Sequence, residues 1–156
     1  MVTLNIPGRE ELVLHHLVLD FNGTIAHDGM LVEGLKERLE ALSKKLSVHV
    51  ITADTNGTAR EQCRDLPVSI YIIGKTDQEL GKRAFVTELG AEGVVCAGNG
   101  SNDKEMFSVA ALAIAVTGRE GCAIPTLLQS NIAVNSILDG LDLLIHKHRL
   151  IATLRK

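Results

Sequence analysis

The sequence predicts a three-layer α/β domain: a mainly parallel sheet covered by helices on both faces and entered through an N-terminal β-hairpin. Three observations predict it. Short apolar runs alternate with longer amphipathic segments, the rhythm of repeated strand–helix units. The runs VHVI, VVCA and ALAIAV are continuous rather than alternating, as strands buried on both faces require. Glycines and small polar residues gather just after these runs, where open parallel sheets bind their ligands.

The elements follow in order. VTLNI (2–6) and ELVL (11–14) flank Pro7-Gly8 and read as the hairpin, which feeds HHLVLD, a strand ending at Asp20. Leu31, Val32, Leu35, Leu39, Leu42 and Leu46 share one helical face and predict a helix over 31–45. VHVI (48–51) is a buried strand, and 55–65 a helix closed before Pro67. VSIYII (68–73) is the next strand. Residues 76–89 predict a helix with Leu80, Ala84, Phe85 and Leu89 on its apolar face and Gly90 as its stop. VVCA (94–97) is a strand, 102–109 a short helix, ALAIAV (111–116) a strand and 120–129 a helix. NIAVN (131–135) is a last short strand, and 136–154 a closing helix. No repeat, low-complexity tract or linker divides residues 1–156, so a single domain is expected.

Composition narrows the function. Hydrophobic residues make up 46% of the chain and charged ones 22%, a globular balance. Aromatics are only 3%, with no Trp. The core must therefore be aliphatic, and a stacking platform for single-stranded nucleic acid is not expected. A net charge of -3 gives no general attraction to nucleic acid or to an anionic membrane. The basic end, HKHRLIATLRK, reads as a solvated helix terminus with cations at its C-terminal end. Cys63, Cys96 and Cys122 form no CxxC pair, which suits a reduced, cytoplasmic protein without a disulfide framework or a thiolate zinc site. Charged and polar residues interrupt the first segment, so no signal sequence is expected. No apolar run reaches the ~18 residues of a membrane span. The histidines show no metal spacing: His15 and His16 alternate faces of a strand, and His146 and His148 do not share a helix face.

Four features carry chemistry. Asp20 ends a buried strand and is followed by Phe21-Asn22-Gly23-Thr24. A carboxylate there can face a metal or act as a nucleophile, and Gly23 lets the backbone approach a ligand. On Asp20 alone, an Asx turn after the strand is an equal alternative. Gly98-Asn99-Gly100-Ser101-Asn102-Asp103 follows VVCA and can present N–H groups and oxygens to a phosphate or metal. Its bland reading is a turn capped by Asn102 or Asp103. Thr52 ends the second strand of the sheet in Thr52-Ala53-Asp54-Thr55, where a hydroxyl can hold a phosphate oxygen; the competing reading is a helix cap by Asp54 or Thr55. Lys82 lies on the helix before VVCA and means little by itself.

Together, DFNGT, Thr52, Lys82 and GNGSND, in that order along alternating strands and helices, resemble the motifs of the haloacid dehalogenase (HAD) superfamily. The resemblance is closest to the phosphorylation domain of P-type ATPases and its small soluble relatives. Those share a Thr-Gly-Asp, matched here by Thr52-Ala53-Asp54, and a Lys-x3-Val-x2-Leu run, matched by Lys82, Val86 and Leu89. The resemblance implies a Rossmann-like domain and a Mg²⁺-dependent phosphohydrolase acting through an aspartyl-phosphate. It implies Asp20, Thr52 and Lys82 as catalytic residues. Asp20, Gly23, Thr52, Ala53 and Lys82 would bind phosphate, and Asp20, Asn22, Asn99 and Asp103 the metal.

The sequence departs from that pattern twice. Asn22 stands where such phosphatases carry an acid/base Asp, so turnover should be slow: general acid–base help is commonly worth ~10²–10⁴-fold. Asn99 stands where the metal loop carries an Asp, so Mg²⁺ binding should be weaker. These departures leave a second reading open, a catalytically degenerate phosphate- or metal-binding protein or scaffold. His27, a few residues after Asp20, is a candidate substitute proton carrier. Only 32 positions separate Asp20 from Thr52, and 30 separate Thr52 from Lys82. That leaves no room for a cap or an ATP-binding domain, so the chain should be neither an ATPase nor a pump. An open, capless site suits a phosphorylated substrate that is large, even macromolecular, or one closed off by a second copy of the chain.

Overall fold

The structure, a computed structural model, describes residues 1–54 and 57–156. Thr55 and position 56, at the start of the helix expected over 55–65, lie outside the described residues, and that helix runs only from Ala59 to Gln62. The hairpin pairs β1 (Val2–Leu4) with β2 (Leu12–Leu14) in a small antiparallel sheet of its own. The main sheet has six strands: β3 (His16–Asp20), β6 (Ser47–Thr52), β7 (Ser69–Ile72), β8 (Val94–Gly98), β9 (Leu112–Val116) and β10 (Ile132–Val134). Every pairing in it is parallel, in the order β10-β9-β8-β3-β6-β7.

The alternation of side chains along β3 shows why the central strands read as unbroken apolar runs. Leu17 and Leu19 belong to one core, with Leu35, Leu39 and Leu42 of α1 (Leu35–Ser43) and Leu141 and Leu144 of α6 (Ile137–Ile145). Val18 belongs to a second core, with Val86 of α3 (Gln78–Glu88) and Met106 and Phe107 of α4 (Lys104–Val109). Both faces are covered, so neither tolerates a polar residue. The short α2 (Ala59–Gln62) and α5 (Ile124–Gln129) complete the connections. After β3 the chain builds outward to β6 and β7, then returns to the other side of β3 for β8, β9 and β10. The switch point therefore falls between β3 and β8, where a ligand crevice is expected.

The structure corrects several expected boundaries. The helix over 31–45 starts only at Leu35, after Gly34 at φ 84°. Before it, β4 (Ala26–His27) and β5 (Met30–Leu31) form a small flap joined by Asp28 and Gly29, both at positive φ, the geometry of a two-residue primed turn. The helix over 120–129 starts at Ile124, with Pro125 in its first turn, and leaves 117–123 as a loop. The closing helix is two: α6, then α7 (Lys147–Leu154), broken at His146. The break turns α7 onto the hairpin. There Leu150 and Leu154 join Val2, Leu4 and Leu14 in one core, and Lys147 Nζ donates to the Thr3 carbonyl at 3.3 Å. The inner face of α3 also differs from expectation: Leu80 is 60% exposed and Ala84 is exposed, whereas Lys82 and Val86 are buried.

At the opposite end of the sheet from the carboxyl termini of β3 and β6, His16 Nδ1 and His49 Nε2 lie 3.2 Å apart. Burial lowers both pKa values below the ordinary 6.5, with His15 adding to the effect on His16 and His16 to that on His49. The folded state thus binds fewer protons than the unfolded one below that value, so their contribution is full above it and is lost as pH falls through it. Melting temperatures between pH 8 and pH 5 are expected to fall less steeply for His49→Gln than for the wild type.

Candidate active site

Four strand ends and one helix converge on a cavity of about 300 Å³. It is lined by Asp20 and Asn22 after β3, Thr52, Ala53 and Asp54 after β6, and Asn99, Gly100 and Asn102 after β8. Gln78 and Lys82 of α3 and Glu120 from the loop after β9 complete it. Six positions expected from the sequence therefore share one wall: Asp20, Asn22, Thr52, Ala53, Lys82 and Asn99. Gly23 and Asp103 abut it from behind.

At the centre is a buried ammonium held by two carboxylates. Lys82 Nζ lies 2.6 Å from Asp20 Oδ1 and 2.6 Å from Asp103 Oδ1. The Lys82 side chain is 1% exposed. α3 turns Lys82 inward and Leu80 and Ala84 outward, and the two anions beside it give the buried cation the partners it needs. Burial first, then the charge of Asp103, pushes Asp20 up from 3.8 to about 6, with Lys82 pulling partly back. Burial also opposes the charge on Lys82, but Asp20 and Asp103 overcome it and raise its pKa. Both directions share one cause: two carboxylates divide one ammonium.

Asp103 is fully committed. Its second oxygen accepts from the backbone N–H groups of Asn99 and Gly100, each at 2.9 Å. That bond pattern folds the chain after β8 into the single 3₁₀ turn Ser101–Asp103. Gly98 is obligatory here, since a Cβ on it would lie 2.4 Å from the Asp103 carboxylate. The loop after β3 is equally fixed: the Phe21 carbonyl accepts from the N–H groups of Thr24, Ile25 and Ala26. Gly23, at φ 80°, is the second required glycine, because a Cβ there would meet Asn99 Nδ2 at 2.5 Å and Glu120 Oε2 at 2.8 Å. Thr52 Oγ1 accepts from the Asp54 N–H at 3.0 Å, which leaves its own proton to donate into the cavity. Asp54 sits at φ 44° and accepts from Ala59 N at 3.1 Å, so it serves the start of α2 as well.

The donor set suits a hard divalent cation. Asn99 Nδ2 donates to the Gly121 carbonyl at 3.0 Å, which leaves its Oδ1 to the Thr24 hydroxyl. The Thr24 hydroxyl lies 3.3 Å from Asp20 Oδ2 and 3.2 Å from Asn99 Oδ1. A hydroxyl has one proton, so Thr24 donates to only one of these two oxygens at a time, and the Phe21 main chain also bonds the Asp20 carboxylate. Charge points the same way: Asp20, Asp54 and Glu120 face the cavity with Lys82 as the only cation among its lining residues. Among the described residues no three His, Cys, Asp or Glu form a ready-made metal cluster. A cation here would thus also draw on amide, main-chain and water oxygens, as Mg²⁺ does.

His27 does not line the cavity. Its Nδ1 is buried without a hydrogen bond, 3.9 Å from Glu120 Oε1. Gln78 and Glu120 are the lining residues that sequence reasoning missed. Gln78 accepts from Asn102 Nδ2 at 2.8 Å. Glu120 was open to positional logic, since its loop follows a parallel strand at the same edge as the others. Burial pushes the Cys63 thiol up to about 11 and raises those of Cys96 and Cys122.

No family model matches the chain. An uncharacterized protein of Methanocaldococcus jannaschii is 39% identical over 82 residues, which are 50% of this chain and 88% of that protein. Among solved structures, the 3-deoxy-D-manno-octulosonate 8-phosphate phosphatase of Moraxella catarrhalis, in complex with magnesium, phosphate and KDO, superposes with a TM-score of 0.71. The identity is 16%, over 91% of this chain and 94% of that one. The cobalt-bound deoxy-D-mannose-octulosonate 8-phosphate phosphatase of Haemophilus influenzae gives 0.70 at 14% identity, over 85% of this chain and 88% of that one. A putative-hydrolase structure of the HAD family from Streptomyces avermitilis gives 0.64 at 18%, over 85% and 79%. These likenesses show the fold.

The three-charge cluster carries one excess negative charge, so its two ends should respond oppositely to neutralisation. Lys82→Met strands two facing carboxylates and is expected to cost ~3–5 kcal/mol. Asp20→Asn relieves the excess and is expected to leave stability unchanged or raise it by ~1–2 kcal/mol. Urea titrations of the metal-free protein at pH 7.5 check both.

Proposed function

We propose that this chain, which belongs to the same family as the Methanocaldococcus jannaschii protein and is built on the HAD fold, is a Mg²⁺-dependent phosphohydrolase acting through an aspartyl-phosphate on Asp20. The observation that carries this reading is the buried Lys82 ammonium, 2.6 Å from both Asp20 and Asp103, at the carboxyl ends of parallel strands. A nucleophilic carboxylate needs a positive neighbour to let a phosphate dianion approach, and Lys82 is in place to be that neighbour.

Asp20 attacks phosphorus, the bond to the leaving oxygen breaks, and water later cleaves the acyl phosphate to restore the carboxylate. Thr52 donates its free hydroxyl proton, and the Ala53 N–H and the backbone at Gly23 offer further positions for phosphoryl oxygens. Asp103 holds Lys82 in place and pins the loop that carries Asn99. A Mg²⁺ held by Asp20, the Asn22 carbonyl and Asn99, with Asp103 behind, supplies positive charge to the phosphoryl group when bound. Asn22 cannot protonate a leaving group or deprotonate water, so both half-reactions fall to solvent and turnover is slow.

Neither a cap nor a nucleotide domain occupies the gaps around these residues. The flap, α1 and β6 fill the stretch from Asp20 to Thr52. The open cavity suits a phosphate carried on a large substrate or closed over by a second copy of the chain. Among the described residues no helix is long and apolar enough to cross a membrane. Three free cysteines fit a reducing cytoplasm.

Asn22 and Asn99 favour one rival, a phosphate-binding protein without turnover. Hydrolysis of p-nitrophenyl phosphate separates the two. With Mg²⁺, the wild type is expected to turn over slowly, Asp20→Asn not at all, and Asn22→Asp at least ~10²-fold faster than wild type. Absence of turnover in both wild type and Asn22→Asp, alongside stabilisation by Mg²⁺ with vanadate, supports the rival.

A further inference from the structure

Glu120 has no part in the sequence motifs and none in the mechanism above, yet its carboxylate faces the same cavity. It reaches there from the loop after β9, which leaves the sheet beside the loop carrying Asn99. The two loops are joined: Asn99 O accepts from Ala123 N at 2.8 Å, and Asn99 Nδ2 donates to Gly121 O at 3.0 Å. Glu120 Oε2 and both terminal atoms of Asn99 crowd the same point over Gly23, at 2.8, 2.5 and 2.8 Å from where a Cβ would stand. The main chain there runs directly from Asn22.

Two further observations point to a cation between these groups. Asp20 Oδ2 and Asn99 Oδ1 share the single Thr24 proton, which serves only one of them at a time, and both oxygens keep lone pairs open to a cation. Asp20 is 7% exposed and Asn99 8%, so water does not readily compensate. Glu120 itself accepts no hydrogen bond among the described residues. Its Oε1 lies 3.9 Å from the His27 ring Nδ1.

We infer that Glu120 supplies the divalent cation site with the second negative charge that an Asn at position 99 cannot give. The inference rests on the metal-dependent reading of the site but not on turnover. Asp20 and Glu120 would then supply the two carboxylates, with the Asn99 amide oxygen and the Asn22 carbonyl as further oxygen donors and water in the remaining positions.

Mn²⁺ binding, read from the electron paramagnetic resonance of the free ion, tests it without any reaction. Glu120→Gln is expected to weaken binding by roughly 10–100-fold. Adding Asn99→Asp to Glu120→Gln is expected to restore most of the loss, because the carboxylate returns at the other position. His27→Gln, which removes the neighbour of Glu120 but no charge from the site, is expected to bind as the wild type does. Binding by Glu120→Gln within about twofold of wild type overturns the inference, as does an equal loss in His27→Gln or a double variant as weak as Glu120→Gln. Wild type that binds Mn²⁺ but hydrolyses nothing defeats only the phosphohydrolase reading. Wild type that binds no Mn²⁺ defeats both.

Discussion

The arrangement of this molecule depends on one ammonium group shared between two carboxylates in a place that water barely reaches. Lys82 comes from a helix on one side of the sheet, Asp20 from the end of the central strand, and Asp103 from the turn after its neighbour. Removing Lys82 leaves two facing carboxylates uncompensated in the interior, so the shared ammonium holds both acids to a common geometry. Much else follows from satisfying that cluster. Gly98 lacks a side chain because the Asp103 carboxylate needs its space, and α3 is turned so that a lysine faces inward while Leu80 faces water.

The same cluster explains what was readable in the sequence and what was not. The strands were legible because burial on both faces leaves continuous apolar runs, and their ends located Asp20, Thr52 and the loop at 98–103. The inner face of α3 was not, because a pattern reading places charged residues outside, and here the decisive inward residue is a charged one. The flap escaped notice because two-residue strands are too short to leave a period, although Asp28-Gly29 carries the turn signal. The break at His146 was hidden because no Gly or Pro marks it, although Leu150 and Leu154 fall out of helical phase with Leu141 and Leu144. Glu120 was hidden for another reason: one acidic residue in a glycine-rich loop looks like any solvated surface until the loop is seen lying against Asn99.

Sheet order gives these local facts their common location. Because β3 lies between β6 and β8, and the chain reverses its direction of growth at β3, loops distant in sequence leave the sheet side by side. Positions 20, 52, 99 and 120 thus become neighbours without any long-range loop having to reach across the molecule. The helices meanwhile carry the stability. Two aliphatic cores, one on each face, leave the carboxyl edge free to hold unfavourable polar groups.

The loop after β3 has one more property worth following. Three successive N–H groups converge on the Phe21 carbonyl, so the path of the main chain past residue 22 is settled by backbone bonds. The side chain at that position hangs from a frame it does not help to build. On the proposed phosphohydrolase reading, anchorage of a phosphoryl group and the time it stays anchored would be governed by different atoms. The frame would set how firmly the group is held, and a single amide or acid hung upon it would set the clock. Such a division lets dwell time drift over a wide range while architecture stays still, which is how a hydrolytic scaffold can become a timer.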